Sequence, residues 1–269
     1  MKLLVVDDEK VWRGGQDSVF ALLQGLAARG VPFTLAAAAG GELARRAAAQ
    51  GWPCRPWQAG GEMSAGTARF LAGLFAGLRP DGVLYNTPHP VTAGIYASAH
   101  SGLRPARVVA RRVDFPLRDN AFSRWKYRRG ADHFLAISRA VAQTLERGGI
   151  PPGKITVVHE GIRPEEVESV PAAAGVRPDV PGAVFACVAA LTAEKGVDVL
   201  LRGLARHRRT HPGSGLVVAG DGAEAENLHQ LASSLGCAGA VSFLGFRKDF
   251  IAVIKACWEA FWALMLPVI

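Results

Sequence analysis

Two adjacent glycines, Gly14 and Gly15, follow the first apolar run of the chain and precede its first amphipathic stretch. Glycines at such a point let the backbone approach a ligand, and the N-terminus of the following helix offers free N–H groups to a phosphate. A tight turn that binds nothing uses the same residues. The pair alone therefore indicates either a phosphate-binding turn or an ordinary turn.

Three short segments in the second half of the chain offer similar chemistry. Lys195 stands in a predicted loop that opens a helix, where its ammonium group suits a phosphate. Two glycine-containing turns each follow a predicted strand and let the backbone turn sharply. A solvated lysine and ordinary strand-to-helix turns are the alternatives. The two turns consist of Gly220, Asp221 and Gly222, and of Gly245 and Phe246.

Positive charge is concentrated in one part of the chain. The formal net charge is +8, and nine cations lie between Arg104 and Arg129. Such a basic surface favours an anionic partner, namely a phosphorylated sugar, anionic lipid or nucleic acid, although a solvated basic face without a partner fits equally well. No nucleic-acid motif accompanies the charge, so nucleic acid is not expected. The cations are Arg104, Arg107, Arg111, Arg112, Arg118, Arg124, Lys126, Arg128 and Arg129.

The remaining composition predicts a cytoplasmic protein without a metal. The four cysteines show no CxxC spacing, which argues against a zinc site or disulfide framework, and the histidines have no metal-ligand spacing. Charged residues follow the apolar segment Met1–Val6 at once, so no secretory leader is expected. We therefore predict neither a metal nor a resident cofactor.

Apolar β-branched runs alternate with helical spacing along the chain, which predicts an α/β protein with parallel, doubly wound sheets. The rhythm stops over the aperiodic, Pro- and Ala-rich residues 164–182 and then restarts. We therefore predict two Rossmann-like domains, 1–163 and 183–269, joined by a linker over 164–182. Strands are expected at Lys2–Val6, Phe33–Ala38, Gly82–Tyr85, Arg107–Ala110, Phe134–Ile137, Ile155–Val158, Val184–Leu191, Leu216–Ala219 and Val241–Leu244. Trp12–Asp17 is expected to be a loop, with Ser18 capping the first helix.

The acidic pair Asp7 and Asp8 after the first strand also resembles the start of a response-regulator receiver domain. Such a domain needs an aspartate at the end of its third strand, whereas the corresponding strand here ends in Asn86 and falls too late in the chain. A receiver also has no place for the second α/β series. We reject this interpretation.

Six blocks, in order and at matching spacing, resemble the glycosyltransferases of family 4, which have the GT-B fold and use nucleotide-sugars. The Gly-Gly loop and the small-residue/Arg/Gly end of the first helix form the first block, and the segment 193–196 (Ala-Glu-Lys-Gly) lies in the fourth. No single block is specific, but together they extend over nearly the whole chain. The blocks lie at 12–30, 132–141, 149–162, 188–201, 216–222 and 243–246.

The resemblance implies two domains facing a cleft, the first binding the acceptor and the second the nucleotide-sugar, and transfer with retention of configuration. The leaving group is an anionic diphosphate, so fixed positive charge is needed where charge develops, and Lys195 is the implied catalytic cation. Asp114 is the other catalytic candidate, in the loop after the predicted strand Arg107–Ala110. The nucleotide-sugar is a substrate, bound by Gly14, Gly15, Lys195, Gly220, Asp221, Gly222, Gly245 and Phe246.

The acceptor implied by the resemblance and the basic stretch is a glycan or lipid-linked molecule, such as a lipopolysaccharide-core precursor. We expect peripheral contact with an anionic membrane from the cytoplasmic side. The residues assigned to the acceptor or membrane surface are Arg111, Arg112, Arg124, Lys126, Arg128 and Arg129.

The sequence departs from the family pattern at three places. Ala190 stands where the family has an arginine, and the segment 111–116 lacks the family's histidine. The paired glutamates with E-x7-E spacing that the family carries in its second domain are absent from residues 183–269, so the second domain is expected to be incomplete and the chain to have little or no transferase activity. An inactive fragment that binds acceptor or partner, and a nucleotide-sugar epimerase of the same fold, are the alternatives. Apolar residues expected to lack cover are Phe250, Ile251, Val253, Ile254, Trp258, Phe261, Trp262, Leu264 and Leu266.

Overall fold

The computed structural model describes residues 1–58, 60–118, 120–161 and 164–257. Its internal contacts divide the chain into two units, the first covering Met1–Glu160 and the second beginning at Gly161. Each unit contains its own parallel sheet. The predicted fold class, an α/β protein with two doubly wound units, is confirmed by these two sheets and by the helices that cover them.

The first unit is built on a seven-stranded parallel sheet with the strand order β3-β2-β1-β4-β5-β6-β7. The order reverses between β1 and β4, which makes the carboxyl ends of these two strands a topological switch point, the usual ligand site of such sheets. The strands are β1 Leu3–Asp7, β2 Phe33–Ala38, β3 Cys54–Trp57, β4 Gly82–Tyr85, β5 Ala106–Arg111, β6 His133–Ala136 and β7 Ile155–Val157.

Helices cover both faces of this sheet because successive strand residues point to opposite sides. Leu4 and Val6 face one core, whereas Val5 faces the other, and all three are fully buried. The helices are α1 Gly14–Ala28, α2 Glu42–Ala49, α3 Ala65–Leu78, α4 Pro90–Ser101, α5 Ala121–Gly130 and α6 Arg139–Arg147. Helices α1 and α2 pack in the second core, and α3 to α6 pack in the first.

The second unit has a three-stranded parallel sheet in the order β10-β9-β8. Its elements are α7 Pro164–Glu168, β8 Val184–Val188, α8 Val197–His207, β9 Gly215–Ala219, α9 Ala225–Ser234, β10 Val241–Phe243 and α10 Phe250–Ala256. Helices α8 and α9 bury Leu201 and Leu228 on one face of the sheet. On the other face Val176 and Val253 belong to a shared core.

Residues predicted to form a linker pack within the second unit. The Ala173 N–H donates to the Ala252 carbonyl at 2.9 Å, and Val176 is only 3% exposed. Val253, expected to lack cover, is fully buried, whereas Phe250 is 40% exposed. The expectation for Val253 is therefore wrong. Arg163 and the apolar residues from Trp258 onward lie outside the described residues, and the predicted domain boundary stays a prediction.

One local prediction is wrong, and two elements of the structure are not predicted. Helix α1 begins at Gly14, so Ser18 is not its cap; the Ser18 hydroxyl lies inside the helix and donates to the Gly14 carbonyl at 2.9 Å. Strand β3 is not among the predicted strands. It contains Pro56 but lies at the sheet edge, where a missing N–H is tolerated. Helix α5 lies in the stretch for which the sequence predicts only a basic surface, because its charges hide its apolar spacing. Asn120 caps it by accepting from the Ser123 N–H at 2.7 Å.

The contact between β4 and α4 gives a testable packing constraint. The Tyr85 hydroxyl is buried and has no hydrogen-bond partner among the described residues. A Cβ atom added at Gly94 would lie 1.9 Å from the Tyr85 hydroxyl oxygen. The Tyr85 side chain therefore fits only because residue 94 has no Cβ atom.

We expect Gly94→Ala to destabilise the first unit by about 1–3 kcal/mol through overpacking. Tyr85→Phe should be neutral or stabilising by about 1 kcal/mol, because it removes an unsatisfied buried hydroxyl. Combined, the two changes should cost less than their sum, as measured by urea unfolding. Gly77→Ala on α3, where an added Cβ meets nothing within 4 Å, is the control and should stabilise slightly. If the changes in unfolding free energy of Gly94→Ala and Tyr85→Phe simply added in the double variant, the packing constraint would be contradicted.

Candidate functional site

A buried carboxylate stands at the switch point of the first unit. Asp7 ends β1 and is 0% exposed. Its Oδ2 accepts from Gln16 Nε2 of α1 at 2.9 Å and from Asn86 Nδ2, which follows β4, and its Oδ1 accepts from the Glu9 N–H at 3.0 Å. These donors satisfy both oxygens of a group that has lost its water.

Burial raises the pKa of Asp7 above its ordinary value, because a low-dielectric surrounding disfavours the charged form. The hydrogen bonds from Asn86, Gln16 and the Glu9 N–H lower this pKa, and the neighbouring charge of Asp8 raises it. Desolvation is the largest of these effects. The carboxyl group is therefore held in place at a cost in folding free energy when it is ionised.

Arg112, in the loop after β5, extends this network toward the solvent. Its Nη1 donates to Asn86 Oδ1, and its Nε pairs with Glu160 Oε1, in the segment after β7. Asn86 Nδ2 also lies 3.3 Å from the Gly15 carbonyl oxygen. The carboxyl ends of β1, β4, β5 and β7 and the start of α1 are thus joined by one chain of polar contacts.

The start of α1 lies at this edge. Gly14 and Gly15 form the first turn of the helix, not the loop before it, and the Gln16 side chain accepts from the Arg13 N–H at 3.2 Å. The first N–H groups of a helix have no intrahelical acceptor and carry partial positive charge. The Arg112 side chain passes close to Gly15, with Cδ 3.8 Å from the position of an added Cβ. Donors and a cation thus meet here, as an anion requires.

A histidine and an aspartate pair beside the buried carboxylate. His89 Nδ1 lies 3.1 Å from Asp8 Oδ2, and the His89 side chain is 62% exposed whereas that of Asp8 is 9% exposed. His89 immediately precedes α4. The pair leaves the other ring nitrogen of His89 accessible to a ligand.

Three loops meet at the carboxyl edge of the second sheet. The Leu191 N–H, after β8, donates to the Asp221 carbonyl at 2.9 Å, and the Gly220 N–H, after β9, donates to the Gly245 carbonyl at 2.8 Å. A Cβ at Gly220 would lie 1.8 Å from the Ala189 carbonyl oxygen, and one at Gly222 would lie 2.3 Å from that of Leu191. Backbone crowding alone therefore requires both glycines.

Lys195 is half-buried at this edge, in the short 3-10 helix Ala193–Lys195. Gly196 follows with φ 63°, a left-handed conformation that suits glycine, and α8 begins directly after it. Phe246 is 70% exposed beside Gly245, and Asp221 accepts from the Gly222 N–H at 2.8 Å. The structure thus places all predicted residues of the second unit on loops of one edge. Their role in nucleotide-sugar binding stays a prediction.

The predicted basic surface divides into buried and exposed members. Lys126 is 6% exposed and pairs with Glu62, so it does not belong to the surface. Arg111 folds the following loop by donating from Nε to the Val113 carbonyl at 3.0 Å; burial lowers the pKa of Arg111, and the charges of Tyr127 and Asp114 raise it. Asp114 itself is half-buried. The exposed members of the set are Arg124, Arg128 and Arg129.

The sequence reasoning missed the residues that form the centre of the first unit's edge. Asp7 and Asn86 each stand at or directly after the end of a predicted strand, which was the available signal, but they were considered only as receiver residues. Their contact depends on β1 and β4 being neighbours, which a sequence does not show. The described residues contain no cluster of acidic, histidine or cysteine ligands that could hold a metal ion.

The raised pKa of Asp7 predicts how stability responds to pH. Folding raises this pKa above the value of about 3.9 of an unfolded aspartate. The folded state therefore binds more protons, and the contribution of Asp7 to stability is fully present below about pH 4 and is lost as the pH rises through the folded pKa. Between the two pKa values the loss is about 1.4 kcal/mol for each pH unit.

We expect the stability of the wild type relative to Asp7→Asn to fall as the pH rises from about 4, measured by urea unfolding over a pH series. Asp132→Asn is a control of opposite sign. Burial raises the pKa of Asp132, but the hydrogen bonds and the positive charge of Arg107 lower this pKa by more, so it lies below the ordinary value of an aspartate. The wild type should therefore gain stability over Asp132→Asn with rising pH. A difference for Asp7→Asn that did not change with pH would contradict the assignment.

Comparison with known proteins identifies the family. The family described as Glycosyltransferase Family 4 matches residues 12–166, and that described as Glycosyl transferases group 1 matches residues 176–263. No curated protein sequence matches the chain. Among solved structures, the apo form of the lipopolysaccharide outer core galactosyltransferase WaaB is 18% identical, with a TM-score of 0.70 over 97% of this chain and 72% of that one.

Two further structures share the fold. Anabaena Alr3699/HepE, solved in complex with UDP-glucose, is 20% identical, with a TM-score of 0.75 over 96% of this chain and 72% of that one. The UDP-GlcNAc 2-epimerase from Methanocaldococcus jannaschii is 13% identical, with a TM-score of 0.61 over 94% and 76%. Structural likeness at this identity shows the fold alone. The family match extends over more than half of the chain, and the protein therefore belongs to Glycosyltransferase Family 4.

Proposed function

We propose that this glycosyltransferase moves a sugar from a nucleotide-sugar to a glycan or lipid-linked acceptor of the cell envelope. The observation that carries the proposal is the meeting of three loops at the carboxyl edge of the second sheet, beside Lys195 and the start of α8. Ligands of parallel α/β sheets bind outside this edge. In this proposal the second unit holds the donor, and the acceptor is bound by the first.

The proposed chemistry concerns the diphosphate that leaves with the bonding electrons when the sugar is transferred. Negative charge develops on its oxygen, and a positive group that is already in place stabilises that charge without reorganisation. We propose that Lys195 supplies such a charge in the second unit. In the first unit we propose a separate anion-binding position at the first N–H groups of α1, at Gly14 and Gly15, beside Arg112, whose guanidinium also pairs with Glu160. Asp114 is proposed to line the acceptor side. Transfer with retention of anomeric configuration is part of the proposal, as the family resemblance implies.

The names of the structural relatives support the substrate classes. HepE is described in complex with UDP and with UDP-glucose, which supports a nucleotide-sugar donor. WaaB is described as a lipopolysaccharide outer core galactosyltransferase, which supports an acceptor of that kind. We propose that the reaction takes place at the cytoplasmic face of the membrane. The described residues contain no helix long and apolar enough to span a bilayer.

An assay with radiolabelled UDP-glucose tests the proposed reaction against its alternatives. Incubation with membrane-extracted glycolipid should move label into the lipid fraction and release UDP, but slowly, because residues 183–269 contain no glutamate pair at E-x7-E spacing. Interconversion of the free nucleotide-sugar without an acceptor would identify an epimerase. Binding of glycolipid without label transfer, and without UDP-glucose binding in calorimetry, would identify a protein that only binds acceptor.

Lys195→Ala should weaken binding of UDP much more than binding of uridine, because the ammonium group is proposed to contact the diphosphate. A charge-assisted contact of this kind contributes about 1.5–3 kcal/mol, so the dissociation constant for UDP should rise about 10- to 150-fold. Titration calorimetry with both ligands measures the difference. Lys154→Ala in the first unit is the matched control and should change neither constant. Equal weakening for UDP and uridine would exclude the diphosphate contact.

A further inference from the structure

Three neighbouring helices of the first unit carry no acidic residue. Helices α3, α4 and α5 pack in one layer on the same face of the sheet, α3 against α4 and α4 against α5. None of their sequences contains aspartate or glutamate. Every other described helix of eight or more residues contains at least one acidic residue. These residues are Asp17 in α1, Glu42 in α2, Glu146 in α6, Asp198 in α8 and Glu226 in α9.

An aromatic cluster lies on the outer side of this layer. The ring centroids of Phe122 and Trp125, one turn apart on α5, are 5.8 Å from each other, and Tyr96 of α4 lies 6.3 Å from Trp125. The three residues are 38%, 36% and 48% exposed, respectively. Tyrosine and tryptophan, each with an apolar body and a polar edge, are the residues that proteins place at the headgroup level of a bilayer.

Exposed arginines stand directly beside the rings. Arg128 and Arg129 follow Trp125 by three and four residues, so all three share the outer face of α5. Lys126 points inward and is neutralised by Glu62, which keeps that nearby acid from offsetting the outer arginines. Arg69 adds a further exposed cation on α3. The layer thus presents positive charge and aromatic rings without acidic side chains.

We propose that the outer face of α3, α4 and α5 docks on an anionic lipid bilayer, with the rings of Tyr96, Phe122 and Trp125 at headgroup depth and Arg128 and Arg129 against the lipid phosphates. This docking proposal rests on the proposed function in one respect, because a lipid-linked acceptor is located in a bilayer. Docking itself needs neither donor nor acceptor.

The geometry favours a bilayer over other anions. A free phosphate requires donors that converge on one point, whereas these arginines are spread along the surface of a helix. Small residues, including Gly73 and Ala76, form much of the exposed surface of α3 and offer no side-chain hydrogen bond to a nucleic acid. Basic side chains beside partly inserted aromatic rings are the combination by which helices lie in a membrane interface.

Vesicle sedimentation with the full chain tests the proposal. The protein should bind vesicles of phosphatidylcholine mixed with phosphatidylglycerol, bind pure phosphatidylcholine weakly, and be released by salt, because the attraction falls within a Debye length. The double variant Arg128→Gln and Arg129→Gln should weaken binding about 30-fold, the equivalent of about 1 kcal/mol for each arginine. The control, Arg202→Gln with Arg206→Gln on α8, makes the same charge change on exposed residues of the second unit and should leave binding unchanged.

The rings are tested separately from the charges. Phe122→Ala with Trp125→Ala should weaken vesicle binding about tenfold for each ring, since a third of an aromatic surface is about 60 Å². Leu22→Ala with Val199→Ala removes exposed apolar surface elsewhere and should have no effect. A further test measures how far lipids brominated near the headgroup quench tryptophan fluorescence. The variant Trp125→Phe preserves the packing, so the difference in quenching between the wild type and this variant reports on Trp125 alone. Quenching of the Trp125 fluorescence should be present in the wild type and absent from the variant.

Equal binding to neutral and anionic vesicles, or binding unaffected by both the arginine and the aromatic variants, would overturn the proposal. Binding of a single-stranded oligonucleotide that requires Arg128 and Arg129, without vesicle binding, would assign the face to nucleic acid instead. Transfer of sugar to a detergent-dispersed acceptor without vesicle binding would leave the proposed function standing and remove this inference. Vesicle binding without UDP binding would do the reverse.

Discussion

Burial of the Asp7 carboxylate at the end of β1 is the constraint on which the carboxyl edge of the first unit depends. A buried charge is tolerated only when its oxygens accept hydrogen bonds, so α1 must bring Gln16 inward and the segment after β4 must bring Asn86. Once Asn86 donates to Asp7, its carbonyl oxygen faces Arg112, and the other side of that guanidinium meets Glu160. One desolvated group thereby orders loops from four strands.

The fold was predictable from the sequence wherever burial alone determines the pattern. The largely buried strands β1, β2 and β4 have the apolar runs that predict a strand, and Phe33–Ala38 and Gly82–Tyr85 have the expected bounds. Strand β3 and helix α5, which the sequence does not predict, lack such an apolar pattern. Strand β3 lies at the sheet edge and accepts Pro56 there. Helix α5 alternates four buried residues with exposed arginines, so its helical period is hidden.

The candidate site was only partly predictable, for a different reason. Turn positions such as Gly220 and Gly222 follow from strand ends, and strand ends are visible in a sequence. What those glycines meet is not visible, because the Ala189 and Leu191 carbonyls come from another loop. The same holds for Asp7 and Asn86, which are 79 residues apart and touch only because β1 pairs with β4. Charge counts mislead in the same way, since Lys126 and Arg128 look alike until burial and the Glu62 partner separate them.

The edges of the two units are therefore held by different forces. In the second unit backbone hydrogen bonds and the absence of Cβ atoms at Gly220 and Gly222 fix the loops, and neither depends on protonation. In the first unit side chains do this, around an aspartate whose pKa is raised by burial. Protonation of Asp7 would remove the negative charge that accepts hydrogen bonds from Gln16 and Asn86. It would thereby weaken the interaction that holds Asn86 against Arg112. Sensitivity to pH thus belongs to the first unit's edge, whereas the second unit's edge is set by backbone geometry.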